Sequence, residues 1–262
     1  MTKSSSKIAK VPAYKYLANA VMEQILDGRM KEGDPLPTET VLGEIFGVSR
    51  ATVREGIRVL EEANMIRRES NSKKMYISRP SHQETGAQLA RALIMHDVTF
   101  AELWEAILVT EPILARMAAR KCDGALLAQI ELNLEKTALA IKKGSPIFTL
   151  DREFHNLISR MSSNMVFDFA RDPINHIFRP SYMKVMGHKS LPTQQLLESH
   201  KAIVKAIRSK NADEAEQLMR KHVQDFSDWA ELTGIIINDR SPTLFSGKHS
   251  GKKRQIRQSK AV

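Results

Sequence analysis

Apolar positions recur with a helical period through most of the chain, and the interruptions mark where elements end. Val41, Leu42, Ile45 and Phe46 stand at the spacing of one helix face, and Val53, Ile57 and Leu60 repeat the pattern. Between the two runs lie Gly47, which can adopt the backbone angles of a sharp helix–helix turn, and Ser49, suited to cap the helix that follows. The stretch from Ser78 to Gln83 breaks the pattern, with Pro80 stopping any element that would run through it. Beyond it the spacing predicts helices near 84–95, 99–121, 124–143, 146–162, 164–185, 193–209 and 212–236. Ser145, Asn164 and Asn211 are placed to cap three of them. Neither a useful alternating stretch nor a tandem repeat interrupts this series. The prediction is a mainly α protein: a helix-turn-helix unit over 1–78, a linker over 79–83, an all-α bundle of six to seven helices over 84–240, and a tail over 241–262.

The helix after Ser49 carries Arg50, Arg54 and Arg58 four residues apart, so the three guanidiniums share a face away from Val53, Ile57 and Leu60. A helix that buries one side and offers arginines on the other suits a DNA groove. Arginine pairs bidentately with guanine O6 and N7, worth about 1–3 kcal/mol of discrimination, or holds phosphates, which positions without specifying. Spacing does not assign these roles among the three, and a solvated arginine face is the plain alternative. The Gly47 turn, the Ser49 cap and the shortness of the helices favour DNA.

Charge sharpens this. The formal net charge is +10. Residues 1–83 carry 14 basic and 10 acidic side chains, residues 84–245 carry 20 of each, and residues 246–262 carry 6 basic and no acidic ones. The excess therefore lies in the DNA-reading candidate and in the tail, whose composition predicts disorder and which serves either phosphate attraction or solubility. No apolar run is long enough to span a membrane. The polar, basic stretch from Met1 to Lys10 has no apolar signal core, and the single cysteine, Cys122, reads as a small core residue that cannot form an internal disulfide. A cytoplasmic protein is expected.

Within the bundle, Asp151 and His155 are four apart, which puts a carboxylate and an imidazole on one helix face. His200 and His222 lie on the last two predicted helices. If these helices face one another, three nitrogens and one oxygen converge, a set suited to zinc, nickel or a similar divalent ion. Spacing alone leaves hydrogen-bonded or surface histidines equally open.

The N-terminal third resembles the GntR family of bacterial transcription regulators. The resemblance rests on Ile25, Gly28, Gly33, Leu36 to Glu39, Leu42, Phe46 to Arg50, Thr52 to Glu55, Leu60 and Ile66. It implies a winged helix-turn-helix, with Thr38, Ser49 and Thr52 joining the arginines at DNA, and a wing hairpin near Lys73 to Ile77 with Lys73 and Lys74 at its tip. Three positions depart from the pattern. Thr40 stands where many members have arginine. Gly56 stands where alanine is usual, at a cost of about 1 kcal/mol in a helix interior. Asn64 replaces a wing glycine, and asparagine tolerates positive φ.

Residues 84–240 resemble the FCD ligand-binding domain of the FadR subfamily. Asp151, His155, His200 and His222 match its signature, Asn164 matches its asparagine, and Glu111, Ala118 and Ala119 match its long early helix. This implies a divalent metal held by Asp151, His155, His200 and His222, with zinc the first expectation and nickel or manganese the others. Ile107 replaces the arginine with which many members pair a carboxylate effector. Trp104, Ile107, Leu108, Glu111 and Met161 are the expected effector contacts, in a more apolar setting; a carboxylate on the metal, a lipid-like or aromatic acid, or metal alone are the candidates.

The expected function is sequence-specific repression by a homodimer on an inverted-repeat operator in double-stranded DNA, relieved when a small-molecule effector binds the helical domain. One recognition helix covers too few base pairs alone. Two rivals stand beside it. A metal-dependent hydrolase with an accessory DNA-binding domain is the first, although no second carboxylate flanks the Asp151/His155 pair as a general base. A nucleoid-type architectural protein with little sequence preference is the second.

Overall fold

The structure, a computed structural model, describes residues 11–69, 72, 74–188, 191–232 and 234. The expected tail over 241–262 and Lys73 lie outside these residues. The chain divides into two compact units, Met1–Glu84 and Thr85–Val262, each with its own core.

The first unit begins with a helix that was not among the expected elements, α1 (Ala13–Leu26), which buries Leu17, Ala18 and Val21. Then come α2 (Glu39–Phe46) and α3 (Arg50–Glu62). Gly47 joins them in the left-handed conformation, with φ 61°. Val53, Gly56, Ile57 and Leu60 of α3 are buried, and α1 packs across this face. Gly56 explains its own presence here. A Cβ at this position would lie 2.8 Å from Leu17 Cδ2 and 3.1 Å from the Tyr14 carbonyl oxygen. On α2 the expected apolar face is narrower than the spacing implied: Leu42 is buried and Phe46 partly so, whereas Val41 and Ile45 are exposed. They form the neighbouring stripe of the helix, turned away from the core.

A two-stranded antiparallel wing follows: β1 (Ile66–Arg68) and β2 (Met75–Ile77), with Ile66 opposite Ile77. Met75 and Ile77 point into the core. Asn64, with φ 56°, makes the left-handed turn into β1 that a glycine would otherwise make. The segment from Gly33 to Leu36 bonds to the other edge of β2, Leu36 N donating to the Met75 carbonyl at 2.8 Å.

The second unit is all helical: α4 (His82–Met95), α5 (Phe100–Lys121), α6 (Gly124–Lys142), α7 (Phe148–Met161), α8 (Met165–Met186), α9 (Thr193–Arg208) and α10 (Ala212–Leu232). Local chemistry sets most starts. Ser81 and Glu84 bond each other's backbone N–H across the first turn of α4, and Thr99 and Glu102 do the same on α5. Asp123 caps α6, Asn164 caps α8, and Asn211 accepts from Glu214 N. Ser145 does not cap α7, whose cap position is Ile147 without a side-chain bond. The helix starts two residues beyond Pro146, although a serine cap followed by a first-turn proline is a compatible start. Pro112, Pro173 and Pro180 sit inside α5 and α8 without ending them. Phe154, Leu157, Ile158 and Met161 of α7 meet Ile203, Val204 and Ile207 of α9 and Met219 and Val223 of α10 in one continuous core, with α5 against α10. No helix among the described residues is long and apolar enough to cross a membrane.

Candidate metal centre and nucleic-acid interface

On the first unit, α3 turns its arginines outward. Arg50, Arg54 and Arg58 are exposed, the latter two with side chains 70% and 68% accessible. Ser49 caps the helix: its Oγ accepts from Thr52 N at 3.2 Å and lies 3.0 Å from Thr52 Oγ1. Thr38 caps α2 from an exposed position. Each arginine rests lightly on a neighbour. Arg54 Nε donates to Glu39 at 2.9 Å, Arg58 Nε to Glu62 at 3.0 Å, and Arg50 reaches the Thr40 hydroxyl at 3.4 Å. Exposed ion pairs of this kind are worth about 0–1 kcal/mol, so the guanidiniums exchange partners at little cost. Lys74 is exposed beside β2, and β1 adds exposed Arg67 and Arg68. Apolar Ile66 followed directly by two arginines was the available signal for that pair.

In the second unit, α7 presents Asp151 and His155, α9 presents His200 and α10 presents His222. The ligand-type atoms of all four lie within 4.8 Å of one another. His200 Nε2 is 3.3 Å from Asp151 Oδ1 and 3.3 Å from His222 Nε2, which is 3.3 Å from His155 Nε2. Asp151, His200 and His222 are almost fully buried, and His155 is 14% exposed. His200 and His222 fall at positions where the helix period calls for apolar side chains, so their burial needs compensation. Phe154 stacks on His200 with ring centroids 3.6 Å apart.

Hydrogen bonds do not supply that compensation. Asp151 Oδ1 has no hydrogen-bond partner among the described residues. His222 Nε2 faces two other Nε2 atoms and offers one proton or one lone pair, not both. A cation at the centre satisfies all four atoms together. Three of the six ligand-atom pairs have the separation of about 3.3 Å that bonds of about 2.0–2.1 Å in a tetrahedral set require, and the whole set lies within 4.8 Å. The ring nitrogens also have to be unprotonated, and burial holds His200 below the ordinary imidazole value. Burial, with His200 and His155 beside it, holds His222 well below that value.

Behind His155 lies a second layer. Its Nδ1 is 2.9 Å from Glu111 Oε2 on α5, while Glu111 Oε1 accepts from Arg171 Nε on α8 at 2.6 Å. Arg171 also donates to Asn156 Oδ1 at 3.1 Å. Burial pushes the Glu111 carboxyl up, but the Arg171 guanidinium and the His155 ring outweigh it and hold the value down at about 2. His155 is raised: burial lowers it, and the Glu111 carboxylate more than reverses this.

Comparison with known proteins fits both units. Residues 13–72 match the family described as bacterial regulatory proteins, gntR family, and residues 102–225 match the FCD domain. The chain belongs to the gntR family, with an FCD domain. It is 27% identical over 224 residues to the HTH-type transcriptional repressor NanR of Cronobacter sakazakii, covering 81% of this chain and 84% of that protein. It is 28% identical over 221 residues to the Uxu operon regulator of Haemophilus influenzae, covering 81% and 79% of the two. A solved GntR structure from Streptococcus agalactiae superimposes with a TM-score of 0.60 at 27% identity, covering 81% of this chain and 98% of that one. This GntR protein is therefore a DNA-binding transcriptional regulator and not an enzyme, which removes the hydrolase alternative.

The remaining expected positions of the regulator separate into two groups. Trp104 stacks on Phe178 and tilts against Phe226. Met161 is fully buried, and Ile107 and Leu108 pack at the edge of the same core. Glu111 instead has both carboxylate oxygens engaged, by Arg171 and by His155. Arg171 and Asn156 were not anticipated. Phe167, Arg171, Ile174 and Phe178 lie on one face of α8, and an arginine in that apolar phase was the available signal.

Proposed function

We propose that this regulator is a repressor that binds an inverted-repeat operator as a homodimer and releases it when a small-molecule effector engages a divalent metal, zinc first, in the FCD domain. The observation that carries it is the convergence of Asp151, His155, His200 and His222 in a chain whose α3 offers three exposed arginines. The repressor named among its relatives, NanR of Cronobacter sakazakii, supports the direction of control.

The division of labour follows the chain: DNA reading in 1–78, a linker over 79–83, effector binding and dimerisation in 84–240, and a basic tail over 241–262. Arg50, Arg54 and Arg58 enter the major groove, with Ser49, Thr52 and Thr38 at the flanking backbone and Lys73 and Lys74 at the wing. In the helical domain, Asp151 supplies one negative charge and the three imidazoles none, so a filled site with a divalent ion keeps a net positive charge. That charge suits a carboxylate despite Ile107, and Trp104, Leu108 and Met161 supply apolar contact. The protein acts in the bacterial cytoplasm.

The test is elemental analysis of the purified protein together with operator selection from random duplexes. Selected sites with two-fold symmetry and stoichiometric metal are the expected result. Metal-free protein in which His200→Ala changes nothing, or binding indifferent to DNA sequence at near-physiological salt, would end the proposal.

A further inference from the structure

We propose that Arg171 and Glu111 are positioning residues for the metal centre, a buried ion pair that fixes the His155 ring so that its Nε2 lone pair faces the other ligands. This rests on reading the four-residue cluster as a metal site. A carboxylate accepts hydrogen bonds and does not donate them. Glu111 Oε2 at 2.9 Å from His155 Nδ1 therefore places a proton on Nδ1, so that in the neutral ring it is Nε2 that is bare. Nε2 is the atom that lies 3.3 Å from His222 Nε2, inside the cluster. Ring orientation and tautomer are thus set by one bond.

That bond needs a carboxylate held still. Arg171 does this with Nε on Glu111 Oε1 at 2.6 Å and NH1 on Asn156 Oδ1 at 3.1 Å, and Asn156 is the residue next to His155 on α7. The side chains of Arg171 and Glu111 are 8% and 7% exposed. The pair links α5, α7 and α8, whereas the four candidate ligands come from α7, α9 and α10. His200 and His222 have no such support among the described residues, where their buried Nδ1 atoms lack hydrogen-bond partners. His155, the most exposed of the three imidazoles, is the one held from outside.

The decisive variant is Glu111→Leu with Arg171→Met, which removes both charges and leaves no unpaired one in the core. Arg171→Lys is the second, keeping a cation at Glu111 Oε1 but losing the fork to Asn156. Two readouts are taken on the full chain. One is zinc affinity by competition with a chromophoric chelator. The other is the His155 tautomer in the metal-free protein, from imidazole nitrogen chemical shifts.

Wild type is expected to show Nδ1–H at His155. The double variant is expected to show a tautomer mixture and zinc affinity lower by about 10–100-fold, with Arg171→Lys in between. An Nε2–H tautomer in wild type overturns the proposal, as does a variant with unchanged tautomer and unchanged zinc affinity. If the double variant does not fold, Arg171→Lys carries the same two readouts. Wild-type protein that binds no zinc but shows the tautomer shift in the variants would refute the metal reading and leave the positioning role standing.

Discussion

Replacing Gly56 by alanine is expected to destabilise the N-terminal unit, although helix propensity alone predicts the reverse. Alanine in an exposed helix interior gains about 1 kcal/mol over glycine. Gly56 is not exposed: it lies where α1 crosses α3, and an added methyl would sit 2.8 Å from Leu17 Cδ2 and 3.1 Å from the Tyr14 carbonyl. Leu17 is fully buried, so its side chain must move within the core to make room, and the carbonyl belongs to helix backbone. Overpacking a filled core costs about 1–3 kcal/mol. The net is a loss of roughly 0–2 kcal/mol by the same figures, concentrated in the α1–α3 contact. Hydrogen exchange of the α1 and α3 amides reads it locally and urea unfolding reads it globally. Because α1 positions the helix that carries the arginines, operator affinity should fall with it. A variant more stable by the full helix-propensity gain would show that α1 does not approach α3 this closely.

Arg54→Ala should weaken operator binding by about 5- to 150-fold, as expected for a contact worth about 1–3 kcal/mol, without changing the unfolding of the helical domain; unchanged anisotropy titrations would remove α3 from the groove. His200→Ala should lower metal content and abolish the effector response while sparing operator binding by the free protein; full metal retention by elemental analysis would break the proposed ligand set. In chelator-treated protein, His200 and His222 are held low and stay neutral where the unfolded chain takes up protons. Their contribution therefore makes stability fall as pH drops below the ordinary imidazole value of about 6.5. His155 is raised and acts in the opposite sense, its contribution present below that value and lost as pH rises through its folded value. With two groups against one, the urea midpoint at pH 5.5 should lie below that at pH 7.5, and His222→Gln should shrink the difference; a midpoint that rises on acidification contradicts this.

Most of the helical architecture was legible because its starts and stops are local. Thr99 with Glu102, Asp123 and Asn164 announce their helices by side-chain chemistry within a single turn. The α7 start was not legible, because Ser145 and Pro146 read as a cap and first turn while the helix begins at Phe148 with no side-chain cap to mark it. The same limit applies at Val41 and Ile45: a period shows which positions share a face, but tertiary packing decides how wide a face is covered. Spacing made candidates of Asp151 and His155, four apart on one helix, and of His200 and His222, one on each of the last two helices, and the resemblance to the FCD domain joined them into one ligand set. Their support could not be named this way. Glu111, His155 and Arg171 are brought together by three helices distant in sequence, and no local pattern encodes which buried arginine meets which glutamate. Gly56 was readable only as a defect until α1 was in place.

A regulator of this kind must convert a ligand's preference into a change of DNA affinity, and the size of that change is bounded by the preference itself. A hundredfold release of the operator requires about 2.7 kcal/mol of differential binding, since each factor of ten is about 1.4 kcal/mol. The site is built to supply a difference of this order only if its own charges are settled before the effector arrives. Glu111 and Arg171 cancel each other within hydrogen-bonding distance, so neither is free to neutralise an incoming anion or to repel it. With a divalent ion bound as proposed, Asp151 alone would offset its charge, and one positive charge would remain in a buried setting where electrostatic interactions are strong. Under the proposed function, an effector carboxylate would bring a compensating charge there, and Asp151, His155, His200 and His222 on α7, α9 and α10 would feel it together. In the proposed reading, Ile107 stands where a guanidinium would pair with an acid, so a bound ion would be the charge partner and discrimination among acids would fall to Trp104, Leu108 and Met161. Selectivity should accordingly follow the shape of the acid's apolar portion more than its count of hydroxyl groups.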